Sequence, residues 1–218
     1  WNALALRSFS EAGRYLNRPD YLQTARRSAD FLLRKLHPAD RLMRSWRGGQ
    51  ARHDAFLEDY AALIIGLLSL YQSDPEPRWF AAAEMLAAEM IAHYSDPQGG
   101  FFDARRDAPA LFTSAKDSQD NATPCGNSLA AWALLQLSEF NGRSDWRDLA
   151  EAPFPSLQDG FARQPAAFGM WLQALDFMLG PVRQVALIGV SGSDGLQALT
   201  AVLWGAYRPR LVAATAQT

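Results

Sequence analysis

The sequence predicts a mainly α-helical fold in which helices pair into hairpins and the hairpins build two layers. Apolar residues recur at helical spacing over most of the first 180 residues. Helices that are apolar on every side alternate with helices that carry one polar face, and short linkers alternate with long ones. Because an all-round apolar helix needs neighbours on every side, we expect those helices to form the inner layer.

The two kinds of helix are distinguished by where their charges fall. Helices with one polar face are predicted at 21–36, where arginines interrupt the apolar stripe, and at 79–94, where glutamates do so. Helices with almost no polar face are predicted at 60–71, 129–137 and 168–179. The second group is expected to be buried by the first.

An internal repeat supports the hairpin plan. Three polar residues each open an apolar helix and are followed, after 19, 20 and 19 residues, by an aromatic residue. The pairs are Asn2 with Tyr21, Asp59 with Trp79, and Asn127 with Trp146. The chain therefore predicts three hairpins built on one pattern.

Linker lengths predict where a binding site would lie. The linkers within hairpins, at 17–20, 72–77 and 141–145, are short. Those between hairpins, at roughly 37–56, 95–126 and 153–164, are long, and each leads into an apolar helix. Long polar loops that converge on helix N-termini bring backbone N–H groups and the positive ends of helix dipoles together. We expect this long-loop rim to be the binding rim.

The last part of the chain has a different pattern, which predicts two units: a helical domain at 1–180 and a strand-helix-strand unit at 181–218. The run GVSGSDG within it lacks the last glycine of a nucleophile elbow and the glycine spacing of a dinucleotide-binding turn. Ser193 or Asp194 is better explained as a helix N-cap. No cofactor is expected.

Composition narrows the class of protein. The 218 residues carry a net charge of −2 with no basic stripe, so nucleic acid is not an expected partner. No apolar run approaches the ~20 residues that cross a bilayer. One cysteine and three scattered histidines offer no metal-ligand spacing, and the lone Cys125 suits a reducing, cytoplasmic location. The chain starts at Trp1 without a methionine, and we expect the natural protein to extend beyond it.

Carboxylates of the long-loop rim are the candidate catalytic residues, because paired acids in different environments can act as general acid and base. They are Glu58, Asp59, Asp117 and Asp120. A structural alternative is open for three of them: Asp59 caps its helix, Asp117 pairs with Lys116, and Asp120 forms an Asx turn.

Other rim residues are candidates for binding substrate. Aromatic faces suit stacking on a sugar ring, while amides and charges suit its hydroxyl groups. The candidates are Trp46, His53, Tyr60, Lys116 and Asn127, with Phe102 as a further aromatic. The alternative is that the aromatic residues belong to the core and His53 is a solvated loop residue.

Four segments carry a family resemblance: WNALAL, FLEDYAALIIGLLSLY, DPQGGFFD and KDSQDNATPCGNSLAA. With them the chain resembles the C-terminal part of the spermatogenesis-associated protein 20 family over about residues 1–215. The resemblance implies a thioredoxin-like domain upstream in the full-length protein, followed by an (α/α)6 toroid similar to that of six-hairpin glycosidases. Cys125 stands where the family usually has serine, and Ala3 where glycine is common.

The resemblance implies an incomplete toroid of roughly three and a half hairpins, whose apolar flanks would favour a homo-oligomer. It implies no established reaction, because the fold hosts several chemistries. Three function classes remain open: an enzyme of hydrolase or epimerase type acting on a carbohydrate, a non-catalytic sugar-binding module, and a structural platform for a thioredoxin-like domain.

Overall fold

The computed structural model describes residues 1–38, 41–108 and 115–217, and it confirms a mainly helical fold. The helices are α1 Asn2–Tyr15, α2 Pro19–Leu36, α3 Leu57–Ser73, α4 Pro77–Tyr94, α5 Gly126–Asn141, α6 Ser144–Glu151, α7 Phe154–Arg163, α8 Gly169–Leu179 and α9 Asp194–Trp204. The strands are β1 Met43–Arg47, β2 Gln50–Asp54, β3 Arg183–Gly189 and β4 Leu211–Gln217. A 3-10 turn at Pro165–Phe168 precedes α8.

The helices pack as a row with an outer layer. α1, α3, α5 and α8 follow one another in the row, each touching the next, while α2, α4 and α6 pack against α1, α3 and α5. α3 and α5 are buried along nearly their whole length, as predicted. α8 is not: it buries one face, and Leu179 at its end is 74% exposed. The prediction of complete coverage for 168–179 is therefore wrong: α5 packs along α8, and Arg147 of α6 and Phe154 of α7 each touch it, yet several of its side chains stay partly or fully exposed.

Two glycines, one in the middle of α3 and one at the start of α5, allow the inner helices to approach closely. A Cβ at Gly66 of α3 would lie 2.9 Å from the carbonyl oxygen of Ala3 in α1. A Cβ at Gly126, the first residue of α5, would lie 2.9 Å from Cδ2 of Leu57 at the start of α3. The N-terminal ends of α3 and α5 are therefore in direct contact.

The repeated aromatic residues mark the outer helices. Trp79 and Trp146 are buried, and each stacks on an arginine near the start of its helix, as does Tyr21. The stacked pairs, with their cation-to-ring distances, are Arg18 on Tyr21 at 4.1 Å, Arg78 on Trp79 at 3.7 Å, and Arg143 on Trp146 at 4.7 Å. The three hairpins thus share a local contact as well as a spacing.

Two of the predicted long linkers contain regular structure. The linker 37–56 forms the antiparallel hairpin β1–β2, which turns at Gly48 and Gly49 with φ of 59° and 81°. The linker 153–164 is mostly α7, a helix with a single buried residue. Within 95–126 a bridge joins Ser95 to Phe101, and residues 109–114 lie outside the described ranges. The prediction of long loops is corrected at 37–56 and 153–164, where β1–β2 and α7 occupy most of each linker.

The C-terminal strand-helix-strand order is present as predicted. β3 and β4 pair in parallel, from Arg183 opposite Leu211 to Gly189 opposite Gln217, with α9 between them in sequence. The Ser193 hydroxyl accepts a hydrogen bond from the Leu196 amide and caps α9. β4 packs on α3 and α5, and the amide of Ala213 donates to Gln72. None of the helices in the described ranges combines the length and hydropathy needed to cross a bilayer.

Candidate functional site

Two adjacent cavities lie where the N-terminal ends of α1, α3 and α5 meet. One has a volume of about 190 Å³ and the other about 500 Å³. Both are lined by Arg44, Glu58, Thr123 and Pro124, which form their shared wall. We call the two cavities together the acid-lined groove. It lies at the rim predicted from the linker lengths.

The two halves of the groove differ in chemistry. The wall of the smaller cavity combines polar and apolar surface. Its polar residues are Asn2, Arg44, Glu58, Asp59 and Thr123, and its apolar side chains include Trp1, Leu32, Leu36, Leu42, Met43 and Leu129. The larger cavity is polar, and its lining includes Phe56, Asp103, Asp117, Asn121 and Cys125. A ligand that spans both would meet carboxylates on one side and hydrocarbon on the other.

Arg44 of β1 joins the hairpin to the start of α3. Its two terminal nitrogens donate to Glu58 at 2.8 Å and to Asp59 at 2.9 Å. Asp59 also accepts the backbone amide of Phe56 at 2.9 Å, so it caps α3 as the structural alternative proposed. Burial raises the pKa of Asp59, and the Phe56 amide and the charge of Arg44 only partly offset that effect.

Asp103 is a half-buried carboxyl group in the lining of the larger cavity. Burial raises its pKa, the amide of Asp117 partly opposes this, and the charges of Asp117 and Glu58 add to it. The Asp117 amide lies 3.1 and 3.0 Å from the two carboxylate oxygens of Asp103. The Asp103 carbonyl accepts the amide of Leu57 at 2.8 Å, which anchors it to the start of α3. Glu58, Asp103 and Asp117 thus form one acidic cluster.

Asp120 is used by the fold and lines neither cavity. One carboxylate oxygen accepts the amide of Cys125 at 3.0 Å and the hydroxyl of Ser128 at 2.7 Å. The other accepts the amide of Met170 at 2.7 Å. Asp120 therefore ties the start of α5 to the start of α8.

Lys116 and Asn127 also hold loops in place and lie outside the lining of both cavities. Lys116 donates to Asp96 at 2.9 Å and to the carbonyl oxygen of Gly99, and it does not pair with Asp117 as the structural alternative proposed. This contact lowers the pKa of Asp96. The buried Asn127 side chain bonds both backbone groups of Phe101.

The remaining predicted binding residues are not brought to the groove. Trp46 packs edge to face on Phe31 of α2 at 6.0 Å. His53 is exposed on β2 with a positive φ of 61°. Tyr60 is fully buried, where its hydroxyl accepts the amide of Leu42 and donates to Glu89. Of the nine predicted site residues, Glu58, Asp59 and Asp117 line the groove.

Arg44, Asp103 and Phe56 are among the groove residues that the sequence analysis missed. Arg44 could have been found from the glycine pair at 48–49, which predicts a β-hairpin. Alternate side chains of a strand face the same side of the sheet, so the pair also indicates which side chains share a face. Asp103 ends the quoted run DPQGGFFD, where its position beside a predicted helix start was not considered. Phe56 precedes α3, is partly exposed, and lies 4.8 Å from the Arg44 guanidinium; it had no periodic signal.

In the part of the chain that the structure describes, no three histidine, cysteine, aspartate or glutamate side chains are close enough to hold a metal ion.

The fold and groove define a mainly helical hairpin protein with an acid-lined groove at one end of its helices. Over 97% of its length the chain is homologous to spermatogenesis-associated protein 20, with 30% identity to both the human and mouse proteins. It is 26% identical to an uncharacterized protein of Caenorhabditis elegans over 80% of its length. The chain spans 28% of the human and mouse proteins. No family model matches it.

Proposed function

We propose that the acid-lined groove binds a sugar or polyol and acts on it. The observation that carries this proposal is the cluster of Glu58, Asp103 and Asp117 in one cavity of about 500 Å³. Burial raises the pKa of Asp103, and the charges of Asp117 and Glu58 add to that effect. A carboxyl group that keeps its proton beside other carboxylates is what general acid and base catalysis at a carbohydrate needs.

Asp103 is the proposed general acid, because burial raises its pKa and favours the protonated form. Glu58 or Asp117, which line the same cavity, then supplies the basic carboxylate. Asn121 and Thr123 offer polar groups for hydroxyls, and the partly exposed ring of Phe56 offers a stacking face. This assignment replaces the predicted aromatic residues Trp46 and Tyr60 with Phe56.

A second proposal is a structural platform, in which the groove is covered by another part of a longer protein. It is supported by the apolar side chains in the wall of the smaller cavity and by the 28% of the human relative that the chain spans. The family resemblance suggests a thioredoxin-like domain as the covering part. In this case the groove would be filled by protein.

Calorimetry and turnover assays with a panel of mono- and disaccharides would test the proposals on the full-length protein. The variants are Asp103→Asn and Asp117→Asn, with the exposed Asp159→Asn as the matched control. We expect sugar binding to weaken at least tenfold in the first two and to be unchanged in the third. Equal binding in all variants would remove the groove as the site. Absence of binding to any sugar would favour the platform, and binding without turnover a non-catalytic module.

We further propose that the row of hairpins is part of a six-hairpin-like ring, that this chain forms a homo-oligomer, and that it resides in the cytoplasm. The repeated pattern of inner and outer helices supports the ring. Exposed apolar side chains support association, and the single buried cysteine suits a reducing compartment.

A further inference from the structure

A small cavity lies away from the acid-lined groove, toward the C-terminal ends of α1 and α3. Its volume is about 40 Å³, and the segment between α9 and β4 forms part of its wall. We call it the basic cavity, after Arg7, Arg14 and Arg208 in its lining. Nothing in the groove's chemistry involves these residues.

Three nitrogen donors in the lining of the basic cavity are buried and have no hydrogen-bond partner among the described residues. They are Nε of Arg14, the indole Nε1 of Trp132 and the amide Nε2 of Gln136. Trp132 is 6% exposed and Gln136 is 7% exposed. A buried donor without an acceptor costs about 1–3 kcal/mol, so three such donors on residues that line one cavity favour an acceptor there.

The charge around the cavity favours an anion. Three arginines line it against one carboxylate, Glu11, which already accepts Nε of Arg7 at 2.9 Å. Burial lowers the pKa of Arg14, so its charge is poorly solvated. An anion beside that guanidinium would compensate the charge.

The guanidinium of Arg14 is held in position by other contacts. Its Nη1 donates to the Ser73 hydroxyl at 3.0 Å and to the Ser69 carbonyl, and the ring of Trp204 covers it at 4.0 Å. Nε of the same guanidinium is buried and has no partner among the described residues. Arg14 is therefore ordered before any ligand arrives, which lowers the entropy cost of binding.

We propose that the basic cavity binds a small oxyanion through Arg14, Trp132 and Gln136. A buried water needs at least about 10–15 Å³, so about 40 Å³ accommodates one compact oxyanion or a few waters. An oxyanion accepts several hydrogen bonds at once. A planar carboxylate and a tetrahedral phosphate or sulfate could both accept hydrogen bonds from these donors. This site is independent of the function proposed for the groove.

Nuclear magnetic resonance of the full chain labelled with ¹⁵N-tryptophan would test the site. Phosphate, sulfate and acetate are titrated separately against chloride at matched ionic strength. We expect the Trp132 indole signal, assigned with Trp132→Phe, to shift with saturation for at least one oxyanion and not for chloride. The indoles of Trp79 and Trp171 are internal controls, because they already donate to Asp74 and to the Ser118 carbonyl. A Trp132 signal that stays fixed, or that moves equally with chloride, would overturn the proposal.

Substitution of Gln136 gives a second, independent test. Gln136→Glu keeps the shape and places a negative acceptor in the cavity, so we expect affinity for the oxyanion to fall at least tenfold. The exposed Gln98→Glu is the charge-matched control and should bind as the unmodified chain does. If Gln136→Glu does not fold, Gln136→Met removes the donor at similar volume and should weaken binding severalfold. Unchanged affinity in a folded Gln136 variant would refute the assignment.

Discussion

The side-chain amide of Asn127 pairs with both backbone polar groups of Phe101. Its Nδ2 donates to the Phe101 carbonyl at 2.9 Å, and its Oδ1 accepts the Phe101 amide at 2.8 Å. Nδ2 also donates to the carbonyl of Asp117 at 3.1 Å. One residue in the first turn of α5 therefore positions the two segments that carry Asp103 and Asp117.

Asn127→Asp should destabilise the protein by about 2–4 kcal/mol, because it removes a buried donor and buries a charge near two carbonyls. Urea denaturation at pH 7 measures the effect. The control is Asn121→Asp, since Asn121 is exposed and uses only its acceptor oxygen, toward the Ala122 amide. The control should change stability by less than about 0.5 kcal/mol. Equal effects of the two changes would contradict the positioning role of Asn127.

Asp74→Asn should also destabilise, by about 2–4 kcal/mol. Burial alone would raise the pKa of Asp74, but hydrogen bonds from Arg26 and Trp79 outweigh it and lower the pKa. Its contribution to stability is thus present above the unfolded-state pKa of about 3.9 and is lost as pH falls through the folded-state pKa. Denaturation curves from pH 7 to pH 2 should show the variant and the unmodified chain converging at low pH.

Asp103→Asn should have the opposite effect on stability at neutral pH. Because burial raises the pKa of Asp103, the favourable contribution of its protonated form is complete below pH about 3.9 and is lost as pH rises through the folded-state pKa. The amide removes the buried charge and retains an acceptor for the Asp117 amide. We expect higher stability than the unmodified chain at pH 7 and no gain near pH 3. A variant less stable at pH 7 would show that the ionised carboxylate is favourable here.

Cys125 should react slowly with alkylating reagents in the folded protein. Burial raises the pKa of its thiol to about 11, and its sulfur accepts the Ser128 amide as the N-cap of α5. At pH 8, iodoacetamide labelling followed by mass spectrometry should be at least tenfold slower than in 8 M urea, where Cys125 serves as its own control. Labelling at equal rates would show that the start of α5 opens readily.

The proposed homo-oligomer predicts a dimer by light scattering at tens of micromolar. Exposed apolar residues concentrate on the C-terminal unit, at Ile188, Val190, Leu199 and Val202. Val202→Lys should shift the protein toward monomer, because a charge in an apolar contact is costly. Asp159→Lys, far from this unit in sequence, should leave the mass unchanged. A monomer at all concentrations would disprove association through this chain.

Helices were predictable from local pattern, but several site roles were not. The all-round apolar character of 60–71 and 129–137 indicated α3 and α5 correctly because the period of a helix is set within a few residues. Asp120 owes its role to the amide of Met170, 50 residues later, and no local pattern contains that contact. Tyr60 stood next to rim acids in sequence, yet its direction along the helix took it into the core.

Arg44 is a second residue whose role depends on contacts that are distant in sequence. Its partners Glu58 and Asp59 are 14 and 15 residues away, and they meet only because the hairpin β1–β2 folds back on α3. The rim could be predicted from linker lengths, since these follow from the order of the helices. Which residues face the cavity depends on the direction of their side chains. Arg44, Phe56 and Asp103 lie in linkers for which the sequence pattern predicted no secondary structure, so their side-chain directions could not be predicted.

Because the inner helices form a row, the cooperativity of unfolding depends on contacts between adjacent helices. α3 packs mainly on α1, α4 and α5, and α5 mainly on α3, α6 and α8, whereas α8 packs mainly on α5 among the described helices. In such quasi-one-dimensional arrays, stability is a sum of unit and interface contributions. Amide hydrogens of α3 and α5 should therefore exchange only through the largest opening events, while α8 can open at lower free energy. The hydrogen bonds of Asp120 join the start of α5 to the Met170 amide of α8. Loss of the Asp120 carboxylate should therefore let the amide hydrogens of α8 exchange faster while those of α5 stay protected.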